Sequence, residues 1–99
     1  MVTIMRSASI APGKLGDALA FAHNIAKFIH EKYGIKLELL MPIGGNPNRI
    51  GWHTMYASLA DLETTMAKLM ADPEYMALIA ANAANMIAGS VYDDIWRVL

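Results

Sequence analysis

The chain has no cysteine, which excludes disulfides, thiolate nucleophiles and cysteine-ligated metals. Charge is also scarce. Asp, Glu, Lys and Arg make up 17% of the residues, against about 25% in an ordinary soluble domain. The 8 basic and 9 acidic side chains are scattered and nearly cancel, to a net charge of −1, so there is no electrostatic footprint for nucleic acid or an anionic membrane surface. No apolar run approaches the ~20 residues that span a bilayer. The N-terminal apolar stretch is interrupted at Arg6 and ended by Pro12-Gly13, unlike a secretory leader. A soluble, cytoplasmic protein is expected. Metal-ligand spacing is missing too: His23 and His30 stand two helical turns apart, ~10.5 Å along an axis, too far to share an ion. Gly13-Lys14 lacks the other residues of a phosphate-binding loop, and Gly44-Gly45 precedes a strand instead of a helix. No cofactor and no metal are expected.

What is abundant is apolar mass. Hydrophobic residues reach 56%, eight of them methionine, above the usual ~45–50%. Residues 1–99 suffice for one domain with one core, and a domain this small has much surface to cover with few polar groups. Some apolar surface therefore needs a partner.

The chain divides into alternating and helical patterns. The most legible stretch is Gly51 to Tyr75, a strand ending at Ala57-Ser58 and then a helix. Ser58 with Asp61 forms its cap, and Leu59, Leu62, Met66, Leu69 and Met70 form an apolar stripe. Asp72-Pro73 halts that helix and starts another, predicted to run to Ala88. Ahead of it lie a strand from Val2 to Ile10, a helix ending at Tyr33-Gly34, a strand from Ile35 to Ile43, a loop at Gly44-Asn48 and a strand from Asn48 to Ser58. The first helix has a predicted buried stripe of Leu15, Ala18, Leu19, Ala22, Ile25, Ala26 and Ile29. A last strand covers Val91 to Leu99. The order βαββαβ folds into a four-stranded antiparallel sheet with both helices on one face. In the last strand Val91, Ile95 and Leu99 point one way and Tyr92, Trp96 and Val98 the other, so both sheet faces call for burial. Two helices cover one, and a second copy is the economical cover for the other.

Pro12-Gly13-Lys14, Tyr33-Gly34, Gly44-Gly45, Ser58-Leu59-Ala60-Asp61-Leu62-Glu63 and Asp72-Pro73-Glu74-Tyr75, taken in this order and spacing, resemble the dimeric α/β barrel superfamily, nearest its NIPSNAP-like small bacterial members. The resemblance covers nearly the whole chain. It implies a ferredoxin-like α+β subunit with strand order 4-1-3-2, and a homodimer whose two sheets enclose a cavity. It implies no single chemistry, since such proteins include cofactor-free quinone-forming monooxygenases, lactone isomerases, polyketide cyclases and haem-degrading enzymes. The haem-degrading members use a histidine on the second long helix, and none occurs here between Leu59 and Ala88.

His53 is the leading catalytic candidate. Trp52 and His53 are strand neighbours and face opposite ways. An unpaired imidazole suits the helix layer less than an indole does, which sends His53, Arg49 and Met55 toward the barrel and Trp52, Thr54 and Tyr56 toward the helices. There His53 would be either a general base or a hydrogen-bonded interface histidine. Arg6 and Arg49 are the cations that could steady developing negative charge. Arg6, which falls in apolar register, would either grip a ligand oxygen or pair across the interface with Asp93, Asp94 or Glu38. Trp52, Tyr56, Tyr92 and Trp96 are candidates for contacting a flat ligand, or plain core and interface mass. The expectation is a homodimer of uncertain activity that binds a small apolar or aromatic molecule in its barrel or beside its helices, with no nucleic-acid or membrane partner. The alternative is a cofactor-independent monooxygenase, isomerase or cyclase acting on an aromatic or enolisable carbonyl substrate.

Overall fold

The computed structural model describes residues 1–99. Strand β1 (Val2–Ser9) leads to helix α1 (Leu15–Tyr33), strands β2 (Glu38–Leu40) and β3 (Arg49–Tyr56), helices α2 (Leu59–Met70) and α3 (Pro73–Ala81), a 3₁₀ turn at Ala83–Asn85, and strand β4 (Tyr92–Arg97). The sheet is antiparallel throughout, in the order β2-β3-β1-β4. That is the ferredoxin-like arrangement 4-1-3-2, with the helices on one face.

Local chemistry sets the boundaries. Gly34 adopts the left-handed conformation (φ 70°) and returns its N–H to the carbonyl of His30, closing α1. Ser58 accepts from the Asp61 N–H at 3.2 Å and opens α2. Asp72 accepts from the N–H groups of Glu74 and Tyr75 and opens α3, with Pro73 at its first position.

Most strands lose a residue or more at their ends, and two predicted elements are far shorter than their sequence patterns. The strand expected over 35–43 keeps its ladder only at Glu38–Leu40. On one side the Lys36 carbonyl accepts from the Thr54 hydroxyl at 3.1 Å; on the other Pro42 has no N–H to give. The alternation still holds, since Leu37 and Leu39 pack on the core. Helix α3 stops at Ala81, not Ala88. The Asn82 side chain donates to the Leu78 carbonyl and accepts from Asn85, whose amide also reaches the Asp17 carbonyl. Asparagines that bond the backbone in this way compete with helix continuation. The chain that follows joins the end of β1: Ile10 bridges Met86, and the Ile87 N–H donates to the Ser9 carbonyl at 2.9 Å.

The core lies between sheet and helices in two neighbouring clusters. One contains Phe21, Ile25, Ile29, Leu69 and Tyr75; the other contains Ile10, Ala18, Ala22 and Ile50. Of the expected α1 stripe Ala18, Ala22, Ile25 and Ile29 are buried, Leu15 is half-exposed, and Phe21, outside the stripe, is buried as well. Trp52 and Met86 pack against both clusters and join them.

Asp72 ties α1 to α3. It is 5% exposed, takes a 2.8 Å ion pair from Lys32 and accepts a hydrogen bond from the Tyr33 hydroxyl. These two partners, with the Glu74 and Tyr75 N–H groups, hold its carboxyl down from 3.8 to about 2. A carboxyl whose pKa is lower folded than unfolded stabilises the fold above its ordinary pKa, and that contribution is lost as pH falls toward the folded value. Between the ordinary carboxylate range and about pH 2 the melting temperature should therefore fall. An Asp72→Asn variant should melt lower near neutral pH and show a shallower acid dependence, measured by circular dichroism. An unchanged acid slope would remove Asp72 from this role.

Candidate functional site

Strand parity divides the candidate residues between two places. In β1, Ile4, Arg6 and Ala8 point to the helices while Thr3, Met5 and Ser7 point away; in β3, Ile50, Trp52, Thr54 and Tyr56 point to the helices while Gly51, His53 and Met55 point away. The register carries this across to β4. Asp93 stands opposite Arg6 on the helix side, and Trp96 stands opposite Thr3 on the open side.

The helix side holds a cavity of about 410 Å³, within the range of small-molecule sites. Of its 23 lining residues 19 are hydrophobic, and the exceptions are Arg6, Thr54, Asn82 and Gly89. Thr54 spends its hydroxyl on the Lys36 carbonyl, and Asn82 spends its amide on Leu78 and Asn85. Arg6 is the one charged residue in the lining. Its guanidinium donates to both Asp93 carboxylate oxygens, from Nε at 2.7 Å and from Nη2 at 2.8 Å. The paired arrangement raises the Arg6 pKa and lowers that of Asp93, through the shared hydrogen bonds first. Arg6 and Asp93 are each about one-third exposed, so the pair sits at the rim of the cavity, not in its depth. Two tyrosines stand near it. Burial pushes the Tyr75 and Tyr56 phenols above their ordinary values, against the opposing pull of the Arg6 charge. Trp52 forms the floor, edge-on to Phe21 with ring centres 6.3 Å apart.

The open side carries a different set. His53 Nδ1 faces a Glu38 carboxylate oxygen at 3.2 Å, and its Nε2 meets the Thr3 hydroxyl. Both ring nitrogens are thus occupied, Nδ1 by Glu38 and Nε2 by Thr3, whichever of them carries the proton. Met5 lies over Gly51 so closely that a Cβ there would run into its terminal methyl. Arg49 is turned to the loop, where its Nε donates to the Asn46 carbonyl at 3.0 Å. Around this network lie large exposed apolar side chains: Trp96 at 66%, Tyr92 at 63%, Met55 at 48% and Leu40 at 41%.

Arg6, Trp52 and Tyr56 therefore share the helix-side cavity, whereas His53, Arg49, Tyr92 and Trp96 belong to the open face or its edge. The sheet separates Arg6 from His53, so these two do not form one constellation. Tyr75 and Asp93 are cavity-side residues to which the sequence pattern assigns no ligand-binding role. A signal for Asp93 existed, because an arginine in core register on the strand beside β4 requires a carboxylate at the matching position. Nothing comparable marked Tyr75, whose approach to Arg6 depends on where α3 docks. No three His, Asp or Glu side chains converge closely enough to hold a metal ion, and no helix is long and apolar enough to cross a membrane.

The sheet order and single helix layer define a ferredoxin-like α+β subunit. Among solved structures it is similar to an uncharacterized NIPSNAP domain protein from Burkholderia xenovorans, with a TM-score of 0.84 at 18% identity over 100% of this chain and 95% of that one. It is similar also to a NIPSNAP family protein of unknown function from Agrobacterium tumefaciens, with a TM-score of 0.80 at 19% identity over 97% and 86%. A putative antibiotic biosynthesis monooxygenase from Nitrosomonas europaea superposes with a TM-score of 0.74 at 16% identity over 100% and 99%. The fold is thus NIPSNAP-like. No protein-family model matches the sequence, and no curated protein does either.

Proposed function

We propose that the chain works as a homodimer that binds a small, largely apolar molecule in the cavity between its helices and its sheet. The observation that carries this reading is the contrast between the two faces. The helix side has an apolar cavity of about 410 Å³ with one arginine at its rim. On the open side the polar side chains Thr3, His53 and Glu38 are spent on one another amid exposed Trp96, Tyr92, Met55 and Leu40. A face of that kind is an interaction surface, and a second copy of the same sheet matches it with apolar area while leaving the polar network intact. In this reading His53 is an interface residue and the ligand lies beside the helices, not between the two sheets.

A thermal-shift screen with quinols, polyketide-like phenols and lactones tests the binding. Saturable stabilisation by at least one compound is expected, weakened about tenfold or more by Ala83→Phe, which places a ring at the cavity lining, and unchanged by His53→Ala. A screen with no saturable shift would remove the cavity as a ligand site, and loss of the shift in His53→Ala would move the site to the open face.

The second reading is the cofactor-independent enzyme. Arg6, Tyr56 and Tyr75 around one apolar cavity favour it, because a cation and phenols near an enolisable substrate can steady its oxyanion. Conversion of a cavity-binding quinol or lactone, abolished by Arg6→Met and retained in His53→Ala, would support this reading over simple binding.

A further inference from the structure

We infer that the helix-side cavity selects uncharged ligands bearing a hydroxyl or carbonyl oxygen, and rejects carboxylates, because Asp93 has already neutralised its only cation. This rests on the cavity being the ligand site. A lone arginine at the mouth of an apolar cavity would ordinarily mark a carboxylate or phosphate site, since its fork matches two oxygens at once. Here one edge of the fork is taken. Nε and Nη2 each donate to a different Asp93 oxygen, at 2.7 and 2.8 Å. A guanidinium has five N–H donors; Asp93 takes two of them, no hydrogen bond is made by Nη1, and the Tyr75 phenol lies beside the group. Arg6 can therefore still donate to a ligand oxygen from Nη1 or the second Nη2 hydrogen, but it offers those donors as half of a neutral pair.

The rest of the lining offers an anion no charge to offset its own. It contains no lysine, histidine or second arginine; Thr54 and Asn82 are engaged with the backbone or with Asn85, and the Tyr56 and Tyr75 hydroxyls are neutral donors. A carboxylate entering beside Arg6 would leave water, meet no net positive charge, and lie close to the Asp93 carboxylate. Burial of a charge without a partner is strongly unfavourable, whereas a neutral hydroxyl or carbonyl needs only one of the donors that remain free. Asp93 is thus a specificity residue acting through Arg6. Its side chain need not touch the ligand.

The test uses matched probes, naphthalene, 2-naphthol and 2-naphthoate, titrated near neutral pH by isothermal calorimetry into the unaltered protein and into Asp93→Asn. In the unaltered protein 2-naphthol should bind at least tenfold more tightly than 2-naphthoate. Asp93→Asn keeps the shape at an exposed edge-strand position and leaves Arg6 unneutralised, so the order should reverse. If none of the three probes binds, the cavity reading fails and this inference with it. If naphthalene or 2-naphthol binds but 2-naphthoate binds as tightly as 2-naphthol, the cavity stands and the selectivity is overturned. The selectivity mechanism is equally overturned if the preference survives unchanged in Asp93→Asn, whose fold the calorimetric response to naphthalene reports independently. The comparison in unaltered protein decides the matter even if that variant does not fold.

Discussion

Replacing Trp96 with glutamate is expected to leave a folded monomer in place of the proposed homodimer. Trp96 stands opposite Thr3 on the open side of β4 and is 66% exposed in the single chain, so it supports little of the subunit's own core. Between two sheets it would be an aromatic anchor, and truncating such an anchor commonly costs at least ~2 kcal/mol of association. Glutamate adds the burial of an unpaired carboxylate, on the same side of the strand as Asp94, which stands opposite Met5. At a tenfold change per ~1.4 kcal/mol, the dimer dissociation constant should rise by about 100-fold or more. Sedimentation over a wide concentration range, with far-ultraviolet circular dichroism to show that the fold persists, would measure it. A parent chain that sediments as a monomer at every concentration would overturn the dimer outright.

How far the sequence could be read follows the range of the interactions concerned. Strand parity is local, and one neighbour relation, Trp52 against His53, places every residue of β3 on its observed side. Caps are also local: Ser58, Asp72 and Gly34 sit where their chemistry demands. The features that escape are tertiary. The stop at Asn82 depends on Asn85 reaching back to the Asp17 carbonyl of α1, a contact between residues far apart in the chain. The brevity of β2 depends on Thr54 taking the Lys36 carbonyl across from β3. The sequence pattern suggests an ion pair for Arg6 across a subunit interface. Its partner, Asp93, lies instead within the same chain. The largest gap concerns location, because a barrel between two sheets draws attention to the open face, whereas the apolar cavity lies on the helix side. Cavity space between layers depends on how far the helices stand off the sheet, and the apolar periodicity of a helix says only which side it presents.

The two tryptophans should fail in opposite ways, and Trp52→Ala is the larger loss for the subunit itself. Trp52 packs against both core clusters, meets the Phe21 ring edge-on at 6.3 Å, and directs its indole N–H at the Ala22 carbonyl, 3.5 Å away. Its removal would withdraw a bridge between the two clusters, leaving Met86 as the other shared residue, and would open the floor of a cavity that is already large. Truncation of a packed tryptophan costs about 3–5 kcal/mol, a large share of the ~5–15 kcal/mol that holds a typical domain together. For a domain of this size each kcal/mol lowers the melting temperature by roughly 4–8 °C, so a fall of about 12 °C or more is expected. Trp52→Phe should recover most of it by restoring a ring between the clusters. Trp96→Ala, by contrast, should melt near the parent once both are compared as monomers at high dilution, with Trp96→Glu as the monomeric reference. Calorimetric melts of these variants would separate a core residue from a docking residue. If Trp52→Ala cost no more than Trp96→Ala in the monomer, Trp52 would not be the bridge that joins the two halves of the core.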